Sequence, residues 1–466
     1  MLSHMNDLHA DSLVSYNPAN GSRLGRVAVA TRAEIAATVD EARAQLAPWQ
    51  ALAPDKRAAL LQRGAEEISR QLKPLSQLLS METGKPRRAS LREINNVADT
   101  VGGRCKDILR ALRPQVHQGS TIESLVRFDP IGVCAVITPA YHPVAMTHRM
   151  LIPALLAGNT VVLKPSPDAP LIGQRMAEIY QRHLPANVLQ IVHGRAEQGR
   201  NLVAANVQLI AFTGSSRAGK HIVASAAFGL KRVILAMSGK DTMIVMADAD
   251  LDAAARFAVE SSLGNGGQMC ISTELVMVDQ RIADRFAQKV ARLASQYRIG
   301  TWDDPKADIG PMLSPERREK VLLHIRDALD KGAKALCGGS SHPEHFIRPT
   351  VLSGVNSAMT IMHQETLGPV LCVASYRAID DAIALCNQSS FALGATVFGQ
   401  AEAAGAVASR LDAGMVGINK SIFGVGDIPW VGAKQSGYGF HSSPDGYRQF
   451  TQTRVLSRST EASGYR

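Results

Sequence analysis

Residues Gly264-Asn-Gly-Gly-Gln-Met-Cys-Ile-Ser272 present one cysteine, Cys270, in a setting suited to a nucleophile. A thiol attacks carbonyl carbon well only as thiolate, or with a base to accept its proton, and any acyl group it captures must be cleared by water or a second nucleophile. Two other segments point to a phosphorylated ligand. Phe212-Thr-Gly-Ser-Ser-Arg-Ala-Gly-Lys220 follows a strand and opens a helix, where small residues let backbone N–H groups approach a pyrophosphate. A tight structural turn is the plainer alternative. Its G-x-x-x-x-G-K spacing mimics a nucleoside triphosphate loop, but His221 stands where Ser or Thr would ligate magnesium. Val161-Val-Leu-Lys164 puts a lysine at the end of an apolar strand, the place of the adenosine ribose in a Rossmann-like site. An ordinary exposed lysine is the alternative there.

The elements that must position these residues are legible as an alternation. Apolar, β-branched runs at Val133–Ile137, Thr160–Leu163, Leu189–Val192 and Leu209–Phe212 read as buried parallel strands. Helical stretches at 143–157, 171–183, 196–205 and 215–228 separate them. A second alternation follows, with strands at Met243–Met246 and Glu274–Val278 and helices at Leu251–Gly264 and Ile282–Tyr297. Residues 33–83 read as helices, with Thr31 as N-cap and Glu34 three residues on. Thr121–Phe128 alternates as a half-exposed hairpin strand, and the segment from Gln449 as an edge strand, a kind that invites pairing with another subunit. The chain of 466 residues fits two or three domains, two of them α/β.

Bulk chemistry narrows the function. Six dispersed cysteines form no C-x-x-C pair, and His342-Pro-Glu-His345 lacks the i, i+4 spacing of two ligands on one helix face, so no metal site is expected. The net charge of +10 is spread without a Lys/Arg tract interleaved with aromatics, which argues against nucleic acid and suits anionic small molecules. No apolar run is long enough to span a bilayer, and Met1–Asp7 has neither the basic nor the apolar block of a signal peptide; a cytoplasmic protein is expected.

Asn17-Pro, Pro153-Ala-Leu-Leu-Ala-Gly-Asn-Thr-Val-Val-Leu-Lys-Pro-Ser166, Phe212-Thr-Gly-Ser215, Asp248-Ala-Asp-Leu-Asp-Ala253, Gly266-Gly-Gln-Met-Cys270, Gln364-Glu-Thr-Leu-Gly-Pro-Val370 and Gly432-Ala-Lys-Gln-Ser-Gly437 occur in one order. Together they resemble the aldehyde dehydrogenase superfamily over nearly the whole chain. The resemblance implies an α/β fold with a Rossmann-type cofactor domain (1–111 and 129–238), an α/β catalytic domain (239–440), and an oligomerisation hairpin with C-terminal strand (112–128 and 441–466) that builds a homodimer or homotetramer. It places the nucleophile on Cys270 and the dinucleotide on Thr138, Lys164, Ser166, Gly194, Gly214, Ser215 and Glu365, the last holding the nicotinamide ribose. Where the family often has an acid three residues after the lysine, this chain has Pro167, so NADP is tolerated beside NAD.

Four family residues are replaced. The family's P-W-N-F-P is Pro139-Ala-Tyr-His-Pro143, so Tyr141 takes the place of the oxyanion Asn and His142 that of a tunnel aromatic. The general-base Glu is Ala236, and a proton-relay Glu is Gln452. Tyr141 is the expected oxyanion donor. His142, with an ordinary pKa near 6.5, is the expected substitute base, against the alternative that it only packs. Trp430 matches an aromatic wall of the substrate funnel or simply packs. The expected reaction is NAD(P)-dependent oxidation of an aldehyde to an acid through a Cys270 thiohemiacetal and thioester. A CoA-acylating enzyme and a catalytically degenerate dinucleotide-binding protein are the alternatives.

Overall fold

The computed structural model describes residues 12–340 and 345–460. Met1–Asp7 and His342-Pro-Glu344 lie outside them, and among the described residues no cluster of three His, Cys, Asp or Glu could hold a metal. The cofactor sheet has six strands in the order Gly437–Tyr438, Arg232–Met237, Leu209–Gly214, Val133–Ile137, Thr160–Lys164, Leu189–Ile191. All its pairings are parallel except that of Gly437–Tyr438, which runs antiparallel against Ala236 and Leu235. Period-two alternation explains why both faces are apolar. Cys134 and Val136 pack with helices Pro54–Arg70, Arg87–Ala111 and Pro143–Leu156, while Val133 and Ala135 pack with Arg32–Ala44 and Ser216–Ala227. Thr31 and Glu34 form a reciprocal cap: Thr31 Oγ1 accepts from Glu34 N–H at 3.2 Å and Glu34 Oε2 accepts from Thr31 N–H at 2.7 Å.

A seven-stranded sheet follows, ordered Lys334–Cys337, Thr350–Ser353, Val370–Tyr376, Thr273–Asp279, Asp241–Val245, Gly394–Phe398, Met415–Ile418, and only its first pairing is antiparallel. Its two faces again divide neighbours along one strand, Ile244 on one side and Met243 with Val245 on the other. A third sheet of three strands pairs Thr451–Ser459 and Gln115–Gln118 with the two sides of Ile122–Pro130. Here Val116, Ile122 and Val455 are exposed apolar side chains. The α/β class and its two sheet-centred cores agree with the sequence reading. Among the elements that went unread are the hairpin Ser12–Tyr16 with Arg23–Ala28, the 25-residue helix Arg87–Ala111, the strands Arg232–Met237 and Gly437–Tyr438, and the short helix Ser443–Arg448 before the last strand.

Candidate active site

The carboxyl ends of four adjacent parallel strands bring together most of the residues assigned to the dinucleotide. Thr138 follows Val133–Ile137 and its N–H donates to Lys164 C=O at 3.2 Å. Ser166 follows the next strand and accepts from Asp168 N–H at 3.2 Å. Gly194 follows Leu189–Ile191, and Gly214 ends Leu209–Gly214. Ser215 caps helix Ser216–Ala227 by accepting from Ala218 N–H, leaving the helix start open at the sheet edge. At Gly214 a Cβ would stand 2.4 Å from the Phe212 ring, so only glycine keeps this turn close to the sheet. Lys164 is 4% exposed and its Nζ reaches only Pro165 C=O, at 3.4 Å. Burial pushes its ammonium down to about 8, against the pull of Asp168. The alternative of an ordinary exposed lysine therefore falls away.

Cys270 sits beyond a backbone turn in which Asn265, Gly266 and Gly267 all have positive φ. A Cβ on Gly267 would meet Gly368 C=O at 1.9 Å; this close approach lets the cysteine loop lie against the chain that carries Glu365. Gln268 fastens the loop by accepting from Leu313 N–H at 2.9 Å, and Asn265 Nδ2 donates to Tyr141 C=O at 3.4 Å. Cys270 and Tyr141 pack in one buried cluster with Leu393 and Met415, flanked by Trp430 and Ile422. The Tyr141 hydroxyl is buried and, among the described residues, has no oxygen or nitrogen partner; its neighbour is the Cys270 thiol, where an oxyanion would form. Burial raises its pKa well above the ordinary phenol value, and the neighbouring Cys270 adds to the rise, so it stays protonated.

Burial likewise pushes the Cys270 thiol up to about 12, with Asp241 and Glu365 adding to the rise and Tyr141 opposing it. The thiol therefore does not ionise unaided near neutral pH. Two acids lie within electrostatic reach. Glu365 is raised to about 7 by burial and by Glu274, and its Oε1 is buried without a partner. Asp241 is raised to about 8 by burial, with Glu274 and Glu365 adding to it, although Gly394 N–H donates to its Oδ1 at 3.0 Å. Ala236 presents only a methyl group at the end of its strand.

His142 precedes helix Pro143–Leu156 and its side chain is 33% exposed within a dense surround. Its Nδ1 lies 3.2 Å from Glu93 Oε2 and 3.3 Å from Lys85 Nζ; its Nε2 lies 3.3 Å from Met269 Sδ. Burial, helped by Lys85 and opposed by Glu93, lowers its pKa, so the ring is neutral near pH 7. Beside the cluster opens a cleft of about 630 Å³, lined by Arg104, Arg149, Met415, Ile422, Asp427 and Trp430 among others. Arg149 stands 5.2 Å from the Trp430 ring centre, and no ion pair joins it to a described residue. Burial first, then Arg104, pushes it down to about 10, so it remains a cation.

The sequence matches the aldehyde dehydrogenase family over residues 6–456. It is 33% identical to an NADP-dependent succinate-semialdehyde dehydrogenase of Escherichia coli K12 over 94% of this chain and 93% of that protein. It is 34% identical to a betaine aldehyde dehydrogenase of Cereibacter sphaeroides over 94% of this chain and 92% of that protein. The fold superposes on the crystal structure of an NAD-dependent aldehyde dehydrogenase from Sinorhizobium meliloti with TM-score 0.93 at 31% identity, covering 97% of this chain and 93% of that one. The chain belongs to the aldehyde dehydrogenase family. It is an NAD(P)-dependent aldehyde dehydrogenase, an oxidoreductase acting on an aldehyde.

The dehydrogenase's own residues fit a dinucleotide. The unpartnered Glu365 Oε1 suits a ribose hydroxyl donor, and buried Lys164 faces no carboxylate close enough to pair with it. Four residues of this enzyme's site escaped the sequence reading. Asp241 lies five residues after Ala236, and Arg149 lies seven after His142, two helical turns along one face. Lys85 and Glu93 gave no local signal, since only the fold brings them to residue 142. Among the described residues, no helix is long and apolar enough to cross a membrane.

Proposed function

We propose that this dehydrogenase oxidises an aldehyde carrying an anionic group to the acid, with Cys270 as nucleophile and water as the acyl acceptor. Cys270 Sγ adds to the aldehyde carbon as its S–H proton passes to the carbonyl oxygen, to which the Tyr141 hydroxyl donates, and the resulting thiohemiacetal gives that proton to water as its hydride departs. Thr138, Lys164, Ser166, Gly194, Gly214, Ser215 and Glu365 hold the dinucleotide, which when bound supplies the hydride acceptor. Water then attacks the resulting thioester, with His142 Nε2 accepting its proton.

The observation that carries the substrate class is Arg149, a cation without an ion-pair partner beside Trp430, in the cleft that adjoins the Cys270 cluster. Three acids also line that cleft: Asp427 Oδ1 accepts from Ser443 N–H and the Tyr447 hydroxyl while its Oδ2 is buried without a partner among the described residues, Asp99 accepts from Asn95 Nδ2, and Asp107 pairs with Arg110. None of them pairs with Arg149, whose guanidinium beside Trp430 is left to receive an anionic group. The test is kcat/KM for succinate semialdehyde, butyraldehyde and betaine aldehyde in the wild type and in Arg149→Met. Selective loss on succinate semialdehyde, about 10-fold or more, is expected; an equal loss on all three would remove the assignment.

Ala236 favours a second reading, in which CoA clears the acyl group, because a thiol needs less help than water. Stimulation by CoA in the same assay, with acyl-CoA as product, would establish it. We further propose that NADP is accepted beside NAD: Asp168, the acid nearest Lys164 in sequence, lies 3.3 Å from Arg317 Nη2 and is thereby offset. Tighter binding of NAD than NADP by 100-fold in calorimetry would reject this. A cytoplasmic homodimer or homotetramer, joined through the exposed apolar side chains of the three-stranded sheet, completes the proposal.

A further inference from the structure

Lys85 and Glu93 have no part in binding a dinucleotide or an aldehyde, yet both converge on the residue that takes the place of a tunnel aromatic. Lys85 comes from the turn before helix Arg87–Ala111, Glu93 from within that helix, and His142 from the start of Pro143–Leu156. Glu93 is 6% exposed and fully engaged. Its Oε1 accepts from Val144 N–H and Ala145 N–H, both at 3.0 Å, closing the start of the helix that follows His142. Its Oε2 accepts from Lys85 Nζ and lies 3.2 Å from His142 Nδ1. Burial would favour the neutral acid, but the charge of Lys85 and the hydrogen bonds from His142 and Lys85 outweigh it and hold Glu93 ionised.

An ionised carboxylate only accepts, and an ammonium only donates. Nδ1 lies between the two, 3.2 Å from Glu93 Oε2 and 3.3 Å from Lys85 Nζ, and in the tautomer that serves a base at the other nitrogen its proton goes to Glu93. That assignment leaves the lone pair on Nε2, the atom that faces Met269, next in sequence to Cys270. With no carboxylate at position 236, this is a base oriented by a third group.

We propose that Glu93 and Lys85 are positioning residues that make His142 the base for thioester hydrolysis: Glu93 accepts the Nδ1 proton and Lys85 holds Glu93 in place. In the step itself, the water oxygen bonds to the thioester carbon and its proton passes to Nε2. The C–S bond then breaks, and the departing Cys270 sulfur recovers the proton from Nε2. The proposal rests on Cys270 as nucleophile and on water as acceptor. The groups facing His142 are Lys85, Glu93 and Arg149, with Met269 on the other side of the ring. Lys85 and Arg149 both disfavour its charged form.

A cofactor-free assay separates this proposal from the identity of the aldehyde. 4-Nitrophenyl acetate acylates a reactive cysteine with a burst of nitrophenolate, and the later steady rate reports hydrolysis of the acetyl-enzyme. Glu93→Gln and His142→Phe should each keep the burst, slow the steady rate by about 10²-fold or more, and accumulate acetyl-enzyme by intact mass. The double variant should be no slower than His142→Phe alone, because residues acting as a unit do not add. The wild-type steady rate should rise with pH and level off below the ordinary histidine value, and Lys85→Gln should move that limb to higher pH. If Glu93→Gln does not fold, the Lys85→Gln limb carries the test. Unchanged steady rates in His142→Phe, additive losses in the double variant, or an unmoved limb in Lys85→Gln would overturn the proposal. A wild type lacking the burst would instead overturn Cys270 as nucleophile.

Discussion

The cofactor cradle and the thiol pocket are built on different principles. The cradle is mostly backbone: strand ends, the start of helix Ser216–Ala227, and glycines where a side chain would collide, with Lys164 as its main charged contribution. The pocket is mostly side chains, and they arrive from distant segments: Lys85, Glu93, Tyr141, His142, Arg149, Asp241, Cys270, Glu365 and Trp430. A backbone cradle depends on few side-chain identities, whereas a pocket of interacting side chains changes its chemistry when one is replaced. Tyr141, Ala236 and His142, the positions where the sequence departs from the expected family pattern, fall in or beside the pocket.

The difference makes separable predictions. Cys270→Ser should remove the NAD(P)H burst and lower turnover by about 10⁴-fold or more, with dinucleotide affinity within a factor of two by calorimetry. A parallel collapse of affinity would mean that pocket and cradle are one unit. Tyr141→Phe should slow acylation by about 10²–10³-fold, since a lone buried donor is lost from the oxyanion, and should again spare the cradle. In the opposite direction, Gly214→Val drives a side chain toward the Phe212 ring and should weaken NAD and NADP binding by about 10-fold or more, while the cofactor-free burst with 4-nitrophenyl acetate persists.

The smallest effect is on stability. Asp241, at about 8 in the folded state against an ordinary value of 3.8, binds a proton between those pH values that the unfolded chain has released. Stability from this group is therefore full below about pH 4 and is lost as pH rises through 8. Asp241→Asn should flatten that fall, leaving the variant about 2 °C or more above the wild type in Tm at pH 8.5 relative to the difference at pH 5. Equal differences at the two pH values would show that Asp241 is not the buried acid described.

How much was legible follows the same division. Runs such as Val133–Ile137 and Leu209–Phe212 declared their strands through β-branched apolar residues, and the observed strands extend the second by two residues to Gly214. The family motifs marked Cys270, Lys164 and Glu365 because each lies within a short local pattern. Helix Arg87–Ala111 was not read, and with it Glu93, because a carboxylate inside a helix looks solvated until its neighbours are known. Lys85, in Thr-Gly-Lys-Pro86, was equally silent.

By itself the sequence determined the alternating α/β patterns and the family, and it proposed Cys270 as nucleophile, all of which depend on residues near one another in the chain. Tertiary structure alone decided that Cys270 is held as a thiol beside Asp241 and Tyr141, that Arg149 stands near Trp430 without an ion-pair partner among the described residues, and that Glu93 meets His142, 49 positions away in sequence. The reason is physical: propensity and periodicity act over a few residues, whereas ionisation and hydrogen bonding depend on which groups share a buried volume, and chain separation carries no record of that.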